Sequence, residues 1–199
     1  MAFDFISFPK IPRLSRECTI TEKLDGTNAH IWILSPEEYE RHKDQKYITK
    51  FPFVCGSRNR WITPENDNQG FAKWAFANVE DLLQLGTGHH FGEWWGGGIQ
   101  RGYGLKLKHF SLFNTRLWED DAIRPRCCDV VPILYQGVFD TRAAEQCIER
   151  LKIEGSVAVA GYPYPEGIVI YHAASNSMFK KTCEDDESPK GVISGLPGI

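Results

Sequence analysis

The chain has 199 residues, 42% of them hydrophobic and 25% charged, the proportions of a soluble globular protein able to build a sizeable core. Its 23 basic and 26 acidic residues leave a net charge of −3, which excludes the global basic field of a nonspecific nucleic-acid binder and confines any polyanion site to a local patch. No apolar run reaches the roughly 18 residues of a membrane span. The opening MAFDFISFPK lacks the apolar stretch of a signal peptide, so no membrane partner is expected. Six cysteines (Cys18, Cys55, Cys127, Cys128, Cys147, Cys183) show neither a CxxC pair nor metal-ligand spacing, which suggests reduced thiols and a cytoplasmic, intracellular protein.

In chain order, β-rich segments are predicted at 17–22, 29–34 and 47–57. The run GFAKWAFANVEDLLQLG then sets Phe71, Trp74, Ala75, Val79, Leu82 and Leu83 at helical spacing and closes on Gly86, a C-cap. Strands are predicted at 89–95 and 105–113, flanking GGGIQRGYG (96–104), a Gly-rich hairpin tip or mobile loop. After a strand at 130–135, DTRAAEQCIERLK offers Asp140 as N-cap and an Ala144, Cys147, Ile148, Leu151 stripe. Strands at 155–160, 166–172 and 177–182 precede an acidic, Pro/Gly-rich surface tail over 184–199. Few helices among antiparallel-looking strands define an α+β fold, and the absence of a repeat or linker makes 1–199 one domain.

One stretch, ITEKLDGTNAHIWIL (20–34), sets Lys23 at the end of an apolar strand beside Asp25-Gly26. Alone this is a common surface lysine at a hairpin turn. Other polar residues also stand at strand ends: Arg58 in CGSRNRW, Glu93 in HHFGEWWG, Glu166 in YPEGIVIYH, and Lys180 and Lys181 in SMFKKT. Glu93 and Glu166 interrupt apolar or aromatic runs, and a buried unpaired charge costs several kcal/mol, so each is expected to be paired or in use. Two acids and at least three bases converging on one groove suit a phosphorylated ligand that also carries hydroxyls. His89-His90 has no ligand cluster at metal spacing, and Trp94-Trp95 is read as core rather than as a base-stacking pair.

Taken in order, KLDGTN (23–28), SRNR (57–60), FGEWWG (91–96), HFSLFN (109–114), EGIVIY (166–171) and FKK (179–181) resemble nucleotidyltransferase motifs I, Ia, III, IIIa, IV and V of the covalent ligase and capping-enzyme superfamily, most closely its ATP-dependent RNA ligases. The resemblance implies an antiparallel-sheet, ATP-grasp-like adenylation domain. It implies that Lys23 attacks the α-phosphate of ATP, expels pyrophosphate and carries AMP, with Mg2+ or Mn2+ bridging phosphate oxygens. Only a neutral amine attacks, and bringing an ordinary lysine from about 10.4 to neutrality takes roughly 4 to 5 kcal/mol, which burial and neighbouring cations such as Lys180 and Lys181 supply.

By the same resemblance, Arg58 contacts the ribose or phosphates, Glu93 accepts from a ribose hydroxyl, and Phe113 stacks on adenine, with Phe110 as the alternative. Backbone groups near Glu22 and Leu24 read the adenine edge, Glu166 helps place the lysine or a divalent ion, and Asn28 acts later near the acceptor end. The implied reaction joins a 5′-phosphate RNA end or nick to a 3′-hydroxyl; DNA sealing, guanylyl transfer, or a turnover-free module that binds nucleotide and RNA ends are the alternatives. Motif V reads FKKT rather than Lys-x-Lys, which leaves open which lysine meets which phosphate. The chain ends soon after motif V, so neither an OB-fold nor a C-terminal helical domain is expected. Substrate capture then falls to its own surface, a partner protein or a second copy.

Overall fold

Ten strands and five α-helices form within residues 4–184, the part of the chain described by the computed structural model. The first sheet runs β10 (Ser177–Thr182), β9 (Gly167–His172), β1 (Glu17–Lys23), β8 (Ile133–Val138), all antiparallel. The second runs β4 (Trp61–Ile62), β3 (Phe53–Ser57), β2 (Thr27–Ile33), β5 (Gly88–Gly96), β6 (Lys108–Leu112), β7 (Asp129–Val130) and is antiparallel except for the parallel β6–β7 edge. Residues 24–26 carry the chain from β1 of one sheet into β2 of the other, so the KLDGTN segment stands at the joint between them.

Each sheet buries one face under helix. Helix α5 (Thr141–Glu154) lays Ala144, Cys147, Ile148 and Leu151 on Cys18, Ile20, Ile168 and Ile170. Burial of each large aliphatic side chain contributes about 1.5 to 3 kcal/mol. The expected N-cap forms, since the Asp140 carboxylate accepts from the Arg142 N–H at 2.9 Å. Helices α2 (Phe71–Ala77) and α3 (Val79–Leu82) cover the second sheet, packing Phe71, Ala75 and Leu82 with Ile31, Phe53, Trp94 and Phe110. A smaller cluster of Leu24, Trp95, Tyr103 and Val131 fills the joint.

Several expected elements differ. The 70–86 run is not one helix: Asn78, at φ −118° and ψ 25°, breaks it, and a short 3-10 turn follows to Gly86, which closes it at φ +78°. The 47–57 strand shrinks to Phe53–Ser57, and 155–160 is a turn rather than a strand. Two short helices lay outside the sequence reading: α1 (Pro36–His42), held by a capping box between Ser35 and Glu38, and α4 (Thr115–Trp118), whose N-cap is Asn114. From residue 185 onward the acidic tail lies outside the described residues. Among those residues no helix is long and apolar enough to cross a membrane, and all six cysteines are free.

Candidate active site

Strand pairing brings Lys23 to Glu166. Register sets Lys23 opposite Gly167, and Glu166 immediately precedes that glycine. Lys23 Nζ donates to Glu166 Oε2 at 2.6 Å; the carboxylate is only 3% exposed, and the lysine keeps 19% of its side chain accessible. A charged pair is thus satisfied where a lone carboxylate would be costly.

Glu93 closes on the same turn from the other sheet. Opposite Asn28 in the β2–β5 ladder, it accepts from the Gly26 N–H and from Asn28 Nδ2, both at 3.1 Å. Burial pushes its carboxyl up from the ordinary 4.5 to about 7, although Lys23, the Gly26 N–H and Asn28 all pull it down. Lys23 and Glu166 both act on it electrostatically, so the three ionisable groups form one neighbourhood. Only glycine fits at position 26, where a Cβ would lie 2.7 Å from Trp95 Cβ, 3.0 Å from Glu93 Cγ and closer still to the Trp94 carbonyl oxygen. Gly26→Ala is therefore expected to cost about 3 kcal/mol, as overpacking against backbone does, and to lower the thermal midpoint measurably in a melt.

The Gly-rich segment 96–104 is the hairpin connection between antiparallel β5 and β6, and it packs onto the turn after Lys23. Tyr103, at φ +52° and 2% exposed, accepts from the Asp25 N–H at 2.9 Å, while Arg101 Nε donates to Asp25 Oδ2 at 3.0 Å and Arg101 Nη1 to the Tyr164 carbonyl at 3.1 Å. Both residues brace the turn after Lys23, and the sequence reading did not single them out. A tyrosine inside a glycine run is a faint signal of such docking.

Glu22 points away from this neighbourhood. Its carboxylate, 1% exposed, accepts from Ser156 Oγ at 2.6 Å and from the N–H groups of Val157 and Ala158 at 2.8 and 2.9 Å, and burial raises its pKa against those bonds. The turn at 156–159 is thereby organised around it. The Glu22 N–H is given to the Pro132 carbonyl at 2.9 Å, and the adjacent Leu24 is buried in the joint.

The remaining nominated residues divide by sheet face. Thr21, Val169 and Lys180 lie opposite one another across β1, β9 and β10, as do Glu22, Ile168 and Lys181. Alternation therefore sets Lys180 on the face of Lys23, about 10 Å across two strands and about 7 Å along them, and Lys181 on the face packed by α5. Continuing the Ala29–Ser57 register by one residue aligns exposed Arg58 with Asn28, Glu93 and Ser111. Phe113, 38% exposed, falls on that same face one step beyond Ser111, whereas Phe110 is fully buried against Phe71. Trp94 and Trp95 are buried, and each donates its indole N–H, to the Gln69 carbonyl and to Ser111 Oγ.

No group of three or more His, Cys, Asp or Glu suited to a metal ion occurs among the described residues, and Glu166 is engaged with Lys23. Such a donor set does not make a resident metal cage. It fits an ion that arrives on phosphate oxygens and needs only one carboxylate beside it.

Residues 16–184 match the profile of the RNA ligase family. Among solved structures, variants of Naegleria gruberi RNA ligase share the fold. One with ATP and Mn has a TM-score of 0.56 at 19% identity over 86% of this chain and 51% of that one; another, with AMP and Mn, has 0.55 at 20% identity over 84% and 49%. The chain thus spans about half the length of the solved structures it matches. No curated protein matches it.

Proposed function

The chain belongs to the RNA ligase family, and from that premise we propose that it is an ATP-dependent RNA ligase working through AMP bonded covalently to Lys23. The observation that carries this reading is the 2.6 Å contact between Lys23 Nζ and buried Glu166, with Glu93 tied to the same turn. The two Naegleria structures described above hold ATP or AMP with Mn, the ligands that this chemistry requires.

In this reading the Lys23 ammonium sheds a proton and the amine attacks the α-phosphorus of ATP. A nitrogen–phosphorus bond forms while the bond from that phosphorus to the bridging oxygen breaks, and pyrophosphate leaves with the electron pair. The nitrogen sheds a second proton, for which the Glu166 carboxylate is at hand. AMP then passes to a 5′-phosphate end, giving a linkage that a 3′-hydroxyl attacks with release of AMP. A divalent ion, Mg2+ or Mn2+, carried on the phosphates next to Glu166 would supply Lewis-acid polarisation there.

The chain's own groups do the positioning. Glu93 accepts from a ribose hydroxyl, Phe113 offers its exposed ring to adenine, and the backbone around Glu22 and Leu24 borders the base. Lys180, on Lys23's face, faces phosphate charge as it builds on the leaving group; Arg58 meets ribose or phosphate, and Asn28 serves the acceptor end. Lys181 supports this set from the opposite face of its strand. RNA ends or nicks are the substrate, held by this surface, a partner protein or a second copy.

ATP labelled at its α-phosphate, incubated with the protein and Mg2+, is expected to leave one label per chain that survives denaturation and is discharged by added pyrophosphate, with GTP failing to compete. Tight ATP binding without an adduct would overturn the reading in favour of a nucleotide-binding module. Nicked RNA should then be sealed in preference to nicked DNA.

A further inference from the structure

The second sheet has two faces, and only one is buried under α2 and α3. On the other, the row of Asn28 and Glu93 is followed along β2 and β5 by His30 opposite Phe91 and then by Trp32 opposite His89. These two strands contribute no aliphatic side chain to that face between 28 and 32 or between 89 and 93. The rings lie close to one another: His30 stacks on Phe91 with centroids 4.2 Å apart, His89 on Trp32 at 4.9 Å, and Trp61 from β4 adjoins both His30 at 5.1 Å and Trp32 at 5.9 Å. His30 Nε2 and His89 Nδ1 share a hydrogen bond of 2.9 Å, which locks the imidazoles into the layer.

This platform is open. Phe91 is 53% exposed, His89 is exposed, and His30, Trp32 and Trp61 are half-buried. A monomer gains nothing by leaving so much aromatic surface in water, and an exposed patch of this kind marks a binding site. Flat rings with polar edges suit nucleobases, which stack on sheet-borne aromatics two or three at a time. Burial and the neighbouring histidines hold His30 down at about 4, so its ring is neutral at physiological pH and presents a π-face rather than a charge.

Continuity with the candidate active site identifies the occupant. The first ring row lies one pleat repeat, about 7 Å, beyond Asn28 and Glu93 and the second about 14 Å beyond them, space for two bases. Arg58, at the exposed hairpin tip aligned with Asn28, adds a cation where a phosphate would pass between platform and site.

We propose that the face formed by His30, Trp32, Trp61, His89 and Phe91 is a stacking platform for unpaired RNA bases next to the end being joined, a reading that rests on the ligase assignment above. It gives this part of the protein a surface of its own for gripping the polynucleotide. Specificity is for exposed bases, not for a sequence.

The test pairs two readouts on the full chain. Binding of a short 5′-phosphorylated single-stranded RNA is followed by anisotropy, and self-adenylylation by α-labelled ATP, in the wild type and in a Phe91→Leu, Trp61→Leu double variant whose melt is checked for folding. We expect the variant to bind RNA at least about tenfold more weakly, as loss of a stacked base requires, with its covalent labelling unchanged. An abasic strand of equal length should bind wild type and variant alike, and Phe91→Trp should retain RNA affinity. Unchanged RNA affinity in the double variant, or an equal loss for the abasic strand, would sink the platform. Absence of labelling in the wild type, with the RNA effect intact, would instead sink the ligase reading.

Discussion

Lys23→Ala is expected to end covalent labelling by ATP, a loss of several orders of magnitude in rate, because no other side chain can take the place of a missing nucleophile. The same substitution removes the 2.6 Å hydrogen bond to Glu166 and so confounds chemistry with folding. Lys23→Arg separates the two. A guanidinium keeps a cation beside Glu166 and a melting profile near that of the wild type, but it stays protonated and cannot attack phosphorus. Both variants should therefore be unlabelled, while only the alanine variant loses stability. Wild-type labelling of either protein would move the nucleophile elsewhere and end the proposed mechanism.

Glu93→Gln is expected to change the pH dependence of stability. The carboxyl titrates at about 7 in the folded protein against an ordinary 4.5, chiefly because burial penalises its charged form. A folded-state pKa raised in this way contributes stability that is fully present below pH 4.5 and is lost as pH rises through 7. At about 1.4 kcal/mol per pH unit, the loss amounts to about 3 kcal/mol by pH 8. Glutamine carries no such charge, so the variant's melting temperature should stay flatter between pH 5 and pH 8 and gain on the wild type across that window. It cannot accept from both Gly26 N–H and Asn28 Nδ2 as a carboxylate does, which costs about 1 kcal/mol at every pH. Identical pH slopes for the two proteins in thermal melts would refute the buried-charge account. Nucleotide affinity, measured by calorimetry, should fall in the variant because a carboxylate is the stronger acceptor for a ribose hydroxyl.

Buried Glu93 and Glu166 show how such residues can be recognised in advance. A carboxylate inside an apolar strand must find a partner, and both did: Glu93 in the Gly26 N–H and Asn28, Glu166 in Lys23. The same reasoning passed over Glu22, the most deeply buried of the three, because its partners Ser156, Val157 and Ala158 sit in a segment that reads as a strand. The segment turns instead because its N–H groups point at that carboxylate.

By itself the amino-acid sequence determined the local order of this protein. Alternation of apolar residues marked most strands, helical spacing and Asp140 marked α5, and six short motifs in sequence pointed to the family. Tertiary structure alone decided the faces and the distant contacts. Whether Lys180 or Lys181 shares a face with Lys23 depends on register across three strands, and a shift of one residue would exchange them. The bonds from Lys23 to Glu166, from Asp25 to Tyr103 and from Ser156 to Glu22 span 143, 78 and 134 residues. The aromatic platform likewise exists only because β2, β4 and β5 meet in one sheet. Local periodicity says which side of a strand a residue occupies; what it meets there is set by the packing of the whole chain.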